Sequence, residues 1–266
     1  MADAPPNVTQ ELAAGIERYI RPDTFPVAFK MAHDEAEVPA KARRPLRDMG
    51  TRFSLCQGWN LARRYGWTVA MGREDMACPI GAIVAGFQPA VPHYEEGHLC
   101  AGMYTESLEA GRRSEEGVSR FARGTYQYMV VGPLSRAAYD PDVVLVYGNS
   151  AQVMTLAAAA LYRRGGRLTM QASPRVDCAE IVVDTMRTQE CQVVLPCYGD
   201  RVFGQTQDHE MAFTIPPSRF GEVLEGLAGT YKGGVRYPIP QFMAYEVKVP
   251  PSYAKLFDIW QETSDE

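Results

Sequence analysis

Six cysteines carry most of the chemistry this chain could perform, and four of them stand where secondary structure begins or ends. Cys78 comes directly before Pro79 at the start of an apolar run, and Cys178 opens a helical stretch reaching Arg187. Proline at the first helical position is a start signal. The N-terminus of a helix offers unpaired N–H groups and positive potential, which favour a thiolate. Cys56 falls in the first turn of a helix that Ser54 can cap, and Cys197 lies in LPCYGDR, where a strand enters a glycine turn. A thiolate can ligate a metal or act as a nucleophile. Cys78 and Cys178 read equally well as small buried hydrophobes, since free cysteine is among the most buried residue types. Cys100 and Cys191 lie in loop-like stretches with no such argument behind them.

Spacing restricts the metal reading. There is no Cys-x-x-Cys pair and no Cys/His run, so ferredoxin and zinc-finger signatures are absent. Any site must be assembled from distant segments. Four thiolates would suit an iron–sulfur cluster, a 4Fe-4S centre included, or a zinc ion as the alternative. A polar run, Asp200, Arg201, Asp208, His209 and Glu210, follows Cys197. Asp200 and Arg201 are candidates to support the cofactor from behind its ligands. The plainer reading of the run is a surface turn held by an Asp–Arg pair. Glu74 and Asp75 before Cys78 would oppose a thiolate, and His33, His93 and His98 sit in loops as exposed residues. No dinucleotide-binding glycine pattern, P-loop lysine or nucleophile elbow is present.

The elements that must position these residues follow from pattern. Leu12, Ile16 and Ile20 mark a short helix stopped by Pro22, after a polar lead at residues 1–10 expected to fray. FPVAFKM at 25–31, residues 67–71, TYQYMVV at 125–131, DVVLVY at 142–147, a stretch around Leu168 and residues 192–195 read as strands. Residues 33–50 read as a loop, and 89–123 as a linker or mobile insertion. Asn149 and Ser150 cap a helix ending at Gly165-Gly166. Offset by one hundred residues, Leu61, Arg63, Arg64, Gly66 and Cys78 face Leu161, Arg163, Arg164, Gly166 and Cys178, which suggests an ancient duplication. The fold expected is α/β, a mixed sheet with packed helices. Two pseudo-repeated halves, about 25–90 and 125–200, form one compact domain over 11–230, and an extended arm follows at 231–266. Two domains divided near Arg123 are the runner-up.

Composition narrows the class. The chain has 266 residues, 46% hydrophobic and 22% charged, with a formal net charge of -5. That is globular, and its acidity disfavours nucleic acid as a partner. No run approaches the roughly 18 apolar residues of a membrane helix, the start lacks a secretory pattern, and six cysteines are too sparse for a disulfide scaffold. A cytoplasmic protein with reduced thiols and no membrane partner is the expectation.

The runs SLCQGWNLAR, REDMACPIGAIVAGF, DVVLVYGNSAQVMTLAAAALYR and LPCYGDRVFGQTQDHEMAFTIP resemble the uncharacterised ArCR-type conserved-protein family, domain of unknown function 169, from about Val27 to Gly226. The resemblance places Cys56, Cys78, Cys178, Cys197, Gly199 to Arg201 and Glu210 on the family's pattern. It implies a shared site more than a named activity. The expectation is therefore a cysteine-ligated metal protein. Cys56, Cys78, Cys178 and Cys197 would hold an iron–sulfur cluster with a redox or electron-transfer role, serving a redox partner protein, in a homo-oligomer. Whether the protein is an enzyme stays open. Two other readings stand beside this one. One is a metal-free thiol enzyme using Cys78 or Cys178, and the other is a small-ligand-binding oligomer with inert cysteines.

Overall fold

The computed structural model describes residues 8–264. In chain order the elements are α1 (Val8–Tyr19), β1 (Val27–Ala32), α2 (Pro45–Met49), α3 (Leu55–Tyr65), β2 (Val69–Gly72), α4 (Pro79–Val84), α5 (Pro92–Glu95), α6 (Leu108–Glu116), β3 (Tyr128–Pro133), β4 (Val143–Asn149) and α7 (Ser150–Leu161). A π-helical stretch, Ala179–Asp184, then runs into α8 (Thr185–Thr188), followed by β5 (Gln192–Val194), α9 (Tyr198–Phe203), β6 (Glu210–Ile215), α10 (Phe220–Lys232) and α11 (Pro251–Ser264). Residues 1–7 of the expected frayed lead lie outside the described residues, while Val8 to Gln10 already belong to α1. No helix among the described residues is long and apolar enough to cross a membrane.

The strands form one sheet in the order β2-β3-β1-β4-β6-β5. The α/β class holds, and all five pairings are antiparallel, so the sheet is not a mixture of directions. β1 and β4 are buried on both faces, which is why they read as nearly continuous apolar runs. One face packs α3, α4 and the Ala179–Asp184 stretch on Phe29, Met71, Met129 and Leu145. The other packs α1, α7 and α10 on Ala28, Val144, Val146 and Phe213. β3, which follows the insertion and Arg123, pairs with both β1 and β2.

Some expected elements differ. No strand forms around Leu168, because Gly165 and Gly166 turn at φ 65° and 81° and release a polar stretch without regular structure. The 33–50 loop contains α2, and the 89–123 insertion contains α5 and α6. Helix α10 was masked by its glycines. Gly226 is required because a Cβ there would come within 2.0 Å of the Ala159 carbonyl, so α7 and α10 meet backbone to backbone.

The sheet order is symmetric about β1 and β4, whose register centres on Ala28 opposite Val144. The symmetry equates β1 with β4, β2 with β5 and β3 with β6. It continues past the strands. β3 ends in Pro133 and a 3-10 turn, Leu134–Arg136, while Pro216 and a 3-10 turn, Pro217–Arg219, follow β6, so P-L-S-R matches P-P-S-R. Helix α3 ends on left-handed Gly66, three residues before Val69, and α8 ends on left-handed Gln189, three residues before Gln192. Cys56 to Gly66 is ten residues and Cys178 to Gln189 is eleven, and the π-helical stretch absorbs the extra residue. The same symmetry pairs α3 with the helix opened by Cys178, and α4 with α9. The offset of one hundred residues equated α3 with α7 instead, and these lie on opposite faces of the sheet.

Candidate functional site

Cys56, Cys78, Cys178 and Cys197 line one cavity of about 310 Å³, two from each half. All four stand at helix starts on the same face of the sheet. Ser54 caps α3 through a reciprocal box with Gln57, and Cys56 follows in its first turn, with its Sγ 3.0 Å from Ser54 Oγ. Cys78 and Cys197 are themselves the caps of α4 and α9. The Gly81 N–H donates to Cys78 Sγ and the Asp200 N–H to Cys197 Sγ, each at 3.4 Å. These are the same N-cap bond made twice, at symmetry-equivalent positions. Cys178 leads the π-helical stretch. Cys56, Cys178 and Cys197 are buried, and Cys78 is partly exposed.

A buried acid pair lies beneath the thiols. Asp177 accepts the Cys197 N–H at 3.0 Å and feels the charge of the neighbouring Asp200. Asp200 accepts from Tyr147 Oη at 2.7 Å, Thr206 Oγ1 at 2.9 Å and Trp59 Nε1 at 3.4 Å. Burial pushes both carboxyls up, and at Asp177 the neighbouring Asp200 adds repulsion to the loss of water. Behind them, Arg63 makes a bidentate pair with Glu210 at 2.6 and 3.0 Å, and its guanidinium stacks 4.0 Å above the Tyr147 ring. Burial alone would raise Glu210, but the hydrogen bonds from Arg63 and the Gln207 N–H, with the charges of Arg63 and Arg64, together outweigh it and hold the carboxyl low.

The thiols feel the same environment. Loss of water and then the neighbouring aspartates push Cys56, Cys178 and Cys197 far above the ordinary thiol range. A bare thiolate is therefore disfavoured at these three positions, and a cation bound to the sulfurs would reverse that balance. Among the described residues, no three His, Cys, Asp or Glu side chains are grouped to hold a metal ion. The cavity rim is apolar and open. Met103 is 68% exposed, Tyr198 60% and Phe203 56%, and Leu99 and Tyr104 complete the rim. The insertion that supplies Leu99, Met103 and Tyr104 is tied to the second half by a buried ion pair between Glu115 and Arg175.

The polar run divides. Asp200 turns inward, and Arg201 lies outside the cavity, donating to the Gln207 carbonyl. The surface Asp–Arg pair does not form, and Glu210 pairs with Arg63 instead. His33, His93 and His98 are exposed, as expected, and His93 stacks on His98. Cys100 is buried and donates to Glu115, and Cys191 lines a different cavity. Sequence reading missed Asp177, Trp59 and Tyr147. Asp177 had a signal available, an acidic residue directly before a helix-opening cysteine.

Fold and site together define an antiparallel α/β protein with a four-cysteine cavity between the two symmetric halves of its sheet. The chain belongs to the DUF169 family, described as Uncharacterised ArCR, whose model matches residues 15–226. It is similar to the Uncharacterized protein MJ0308 of Methanocaldococcus jannaschii, 23% identical over 204 residues, covering 76% of this chain and 85% of that one. No solved structure matches the chain.

Proposed function

We propose that Cys56, Cys78, Cys178 and Cys197 hold an iron–sulfur cluster of the 4Fe-4S kind, and that the protein serves redox or electron-transfer chemistry. The observation that carries this reading is the gathering of four cysteines, from segments up to 141 residues apart, around one cavity while the other two cysteines stay away. Zinc fits less well. A tetrahedral ion with Zn–S near 2.3 Å needs sulfurs about 3.8 Å apart, and no such tight group is present among the described residues. A cluster offers each thiolate its own iron, so its ligands ring a volume instead of meeting at a point.

When bound, the cluster would supply one-electron transfer. The chain's own residues do the rest. The Gly81 and Asp200 N–H groups donate to two of the sulfurs, which tunes a potential. The helix starts at all four cysteines place positive ends of peptide dipoles against the negative thiolates. Leu55, Ile80 and Val176 shield the sulfurs from water, and the buried Asp177 and Asp200 carboxyls form the floor. The exposed apolar rim suits a redox partner protein. The arm after Gly234, with Phe242, Met243 and Val247 exposed and Tyr245 95% exposed, suits an interface between copies. The high thiols at three cysteines count against a metal-free nucleophile there.

The test is iron and acid-labile sulfide analysis with a visible spectrum on protein purified without oxygen. Iron with sulfide is expected, and single Cys→Ser changes at the four positions should each strip most of it. Zinc alone, or no metal in anaerobic protein, would sink the cluster reading. Full iron content in all four variants would sink the ligand assignment.

A further inference from the structure

A second cavity, of about 450 Å³, lies beside the same helix that Cys178 opens. Glu180, 7% exposed, and Asp184, one turn along, both line it. The Ser173 N–H occupies Glu180 Oε1 at 2.5 Å, and Glu180 Oε2 is buried with no hydrogen-bond partner. A buried carboxylate oxygen without a donor is costly, and native structures rarely leave one so. The Asp184 carboxylate receives no hydrogen bond among the described residues, and two like charges a turn apart repel. Of the other cations lining the cavity, Arg164 is held by Glu190 and Glu222, and Arg219 by Glu190 and the Ala160 carbonyl. Arg167 is exposed and has no carboxylate partner among the described residues. The uncommitted charged groups lining the cavity are thus two acids and one guanidinium, and Thr169 and Gln171 line it with them. The volume suits a small molecule.

We propose that this cavity binds a small zwitterion of the α-amino-acid class, its ammonium between Glu180 and Asp184 and its carboxylate on Arg167. An ammonium supplies the donor that Glu180 Oε2 lacks and removes the repulsion between the two acids. A carboxylate completes Arg167 with the bidentate geometry a guanidinium favours. Arg164 and Arg219, already committed, keep the walls in place.

The experiment is thermal unfolding and isothermal titration of the full chain with glycine, L-glutamine and L-lysine, against ethylamine and acetate as half-ligands. Amino acids at about 10 mM, ten times a millimolar Kd, should raise Tm by about 2–4 °C. Each half-ligand alone should give less than half that shift. Glu180→Gln keeps an acceptor for Ser173 and so remains folded, and Arg167→Ala changes an exposed side chain. Each should abolish the shift while leaving the far-ultraviolet spectrum intact. Three outcomes would overturn the proposal. They are no shift with any amino acid, an undiminished shift in both variants, or an equal shift from ethylamine alone.

Discussion

The two halves of the sheet share a skeleton and differ in what they bring to the cavity. Each supplies one cysteine in the first turn of a helix and one that caps the next helix. Around those thiols the second half places Asp177 beside Cys178 and Asp200 after Cys197, where the first half has Leu55 and Gly81. The first half instead contributes the insertion whose Leu99, Met103 and Tyr104 form the open rim. The conserved skeleton fixes the sulfurs, and the differences give the cavity an acidic floor and an apolar mouth. A symmetric pair of binding sites would have needed both features twice.

Arg63 ties the halves together, because it leaves α3 of the first to reach Glu210 and Thr206 of the second. Arg63→Met should cost about 3–5 kcal/mol in urea unfolding, since it strands a buried carboxylate. A loss below about 1 kcal/mol would mean that the halves are held by the sheet alone. The next effect depends on pH and belongs to the second half only. Burial pushes Glu180 up to about 7, against an ordinary 4.5, while the Ser173 N–H pulls the other way. The folded value lies above the unfolded one, so this contribution is complete at low pH and is lost as pH rises through about 7. Glu180→Gln should therefore match wild type near pH 4 and exceed it by about 1–3 kcal/mol at pH 8, after allowing for partial solvation. Equal stability at both pH values would show that the carboxyl is solvated.

What the sequence made legible were local signals. Ser54 with Gln57, the Cys78-Pro79 step and the Asn149 cap each announce a helix start within four residues, so the cysteines could be placed at element ends. The gathering of those ends around one cavity is long-range, and the repeat that produces it retains almost no identity beyond the cysteines and the Pro-x-Ser-Arg turns. A residue inserted in the π-helical stretch shifts the register, so ungapped comparison aligned the wrong helices. Helix α9 was hidden because Gly199 and Asp200 are turn formers. β6 was hidden because Glu210, at its start, completes a charged run.

The matched caps separate structure from cofactor. Serine caps a helix at least as well as cysteine, so Cys78→Ser and Cys197→Ser should each change the stability of metal-free protein by less than about 1 kcal/mol. On the cluster proposal, the same variants should also lose most of the iron in anaerobic preparations. If both variants unfold the metal-free protein, the two cysteines are structural caps, and the iron loss says nothing about ligation.

The smallest expected effect tests the repeat itself. Gly66 and Gln189 terminate equivalent helices at φ 70° and 55°, a left-handed conformation that costs a side chain about 1 kcal/mol. Gln189→Gly should stabilise the protein by about 0.5–1 kcal/mol. Its side chain donates to the Met186 carbonyl and accepts from Ser218, so the gain will fall at the lower end of that range. Gly66→Ala should move stability the other way by about 1 kcal/mol, because its Cβ would also meet the Phe25 ring at 3.4 Å. Opposite signs from the two changes, read from urea midpoints at equal slope, are what equivalent helix ends require. A loss from Gln189→Gly would mean that the Gln189 side-chain bonds outweigh its backbone strain. The two ends would then share a conformation without sharing a role.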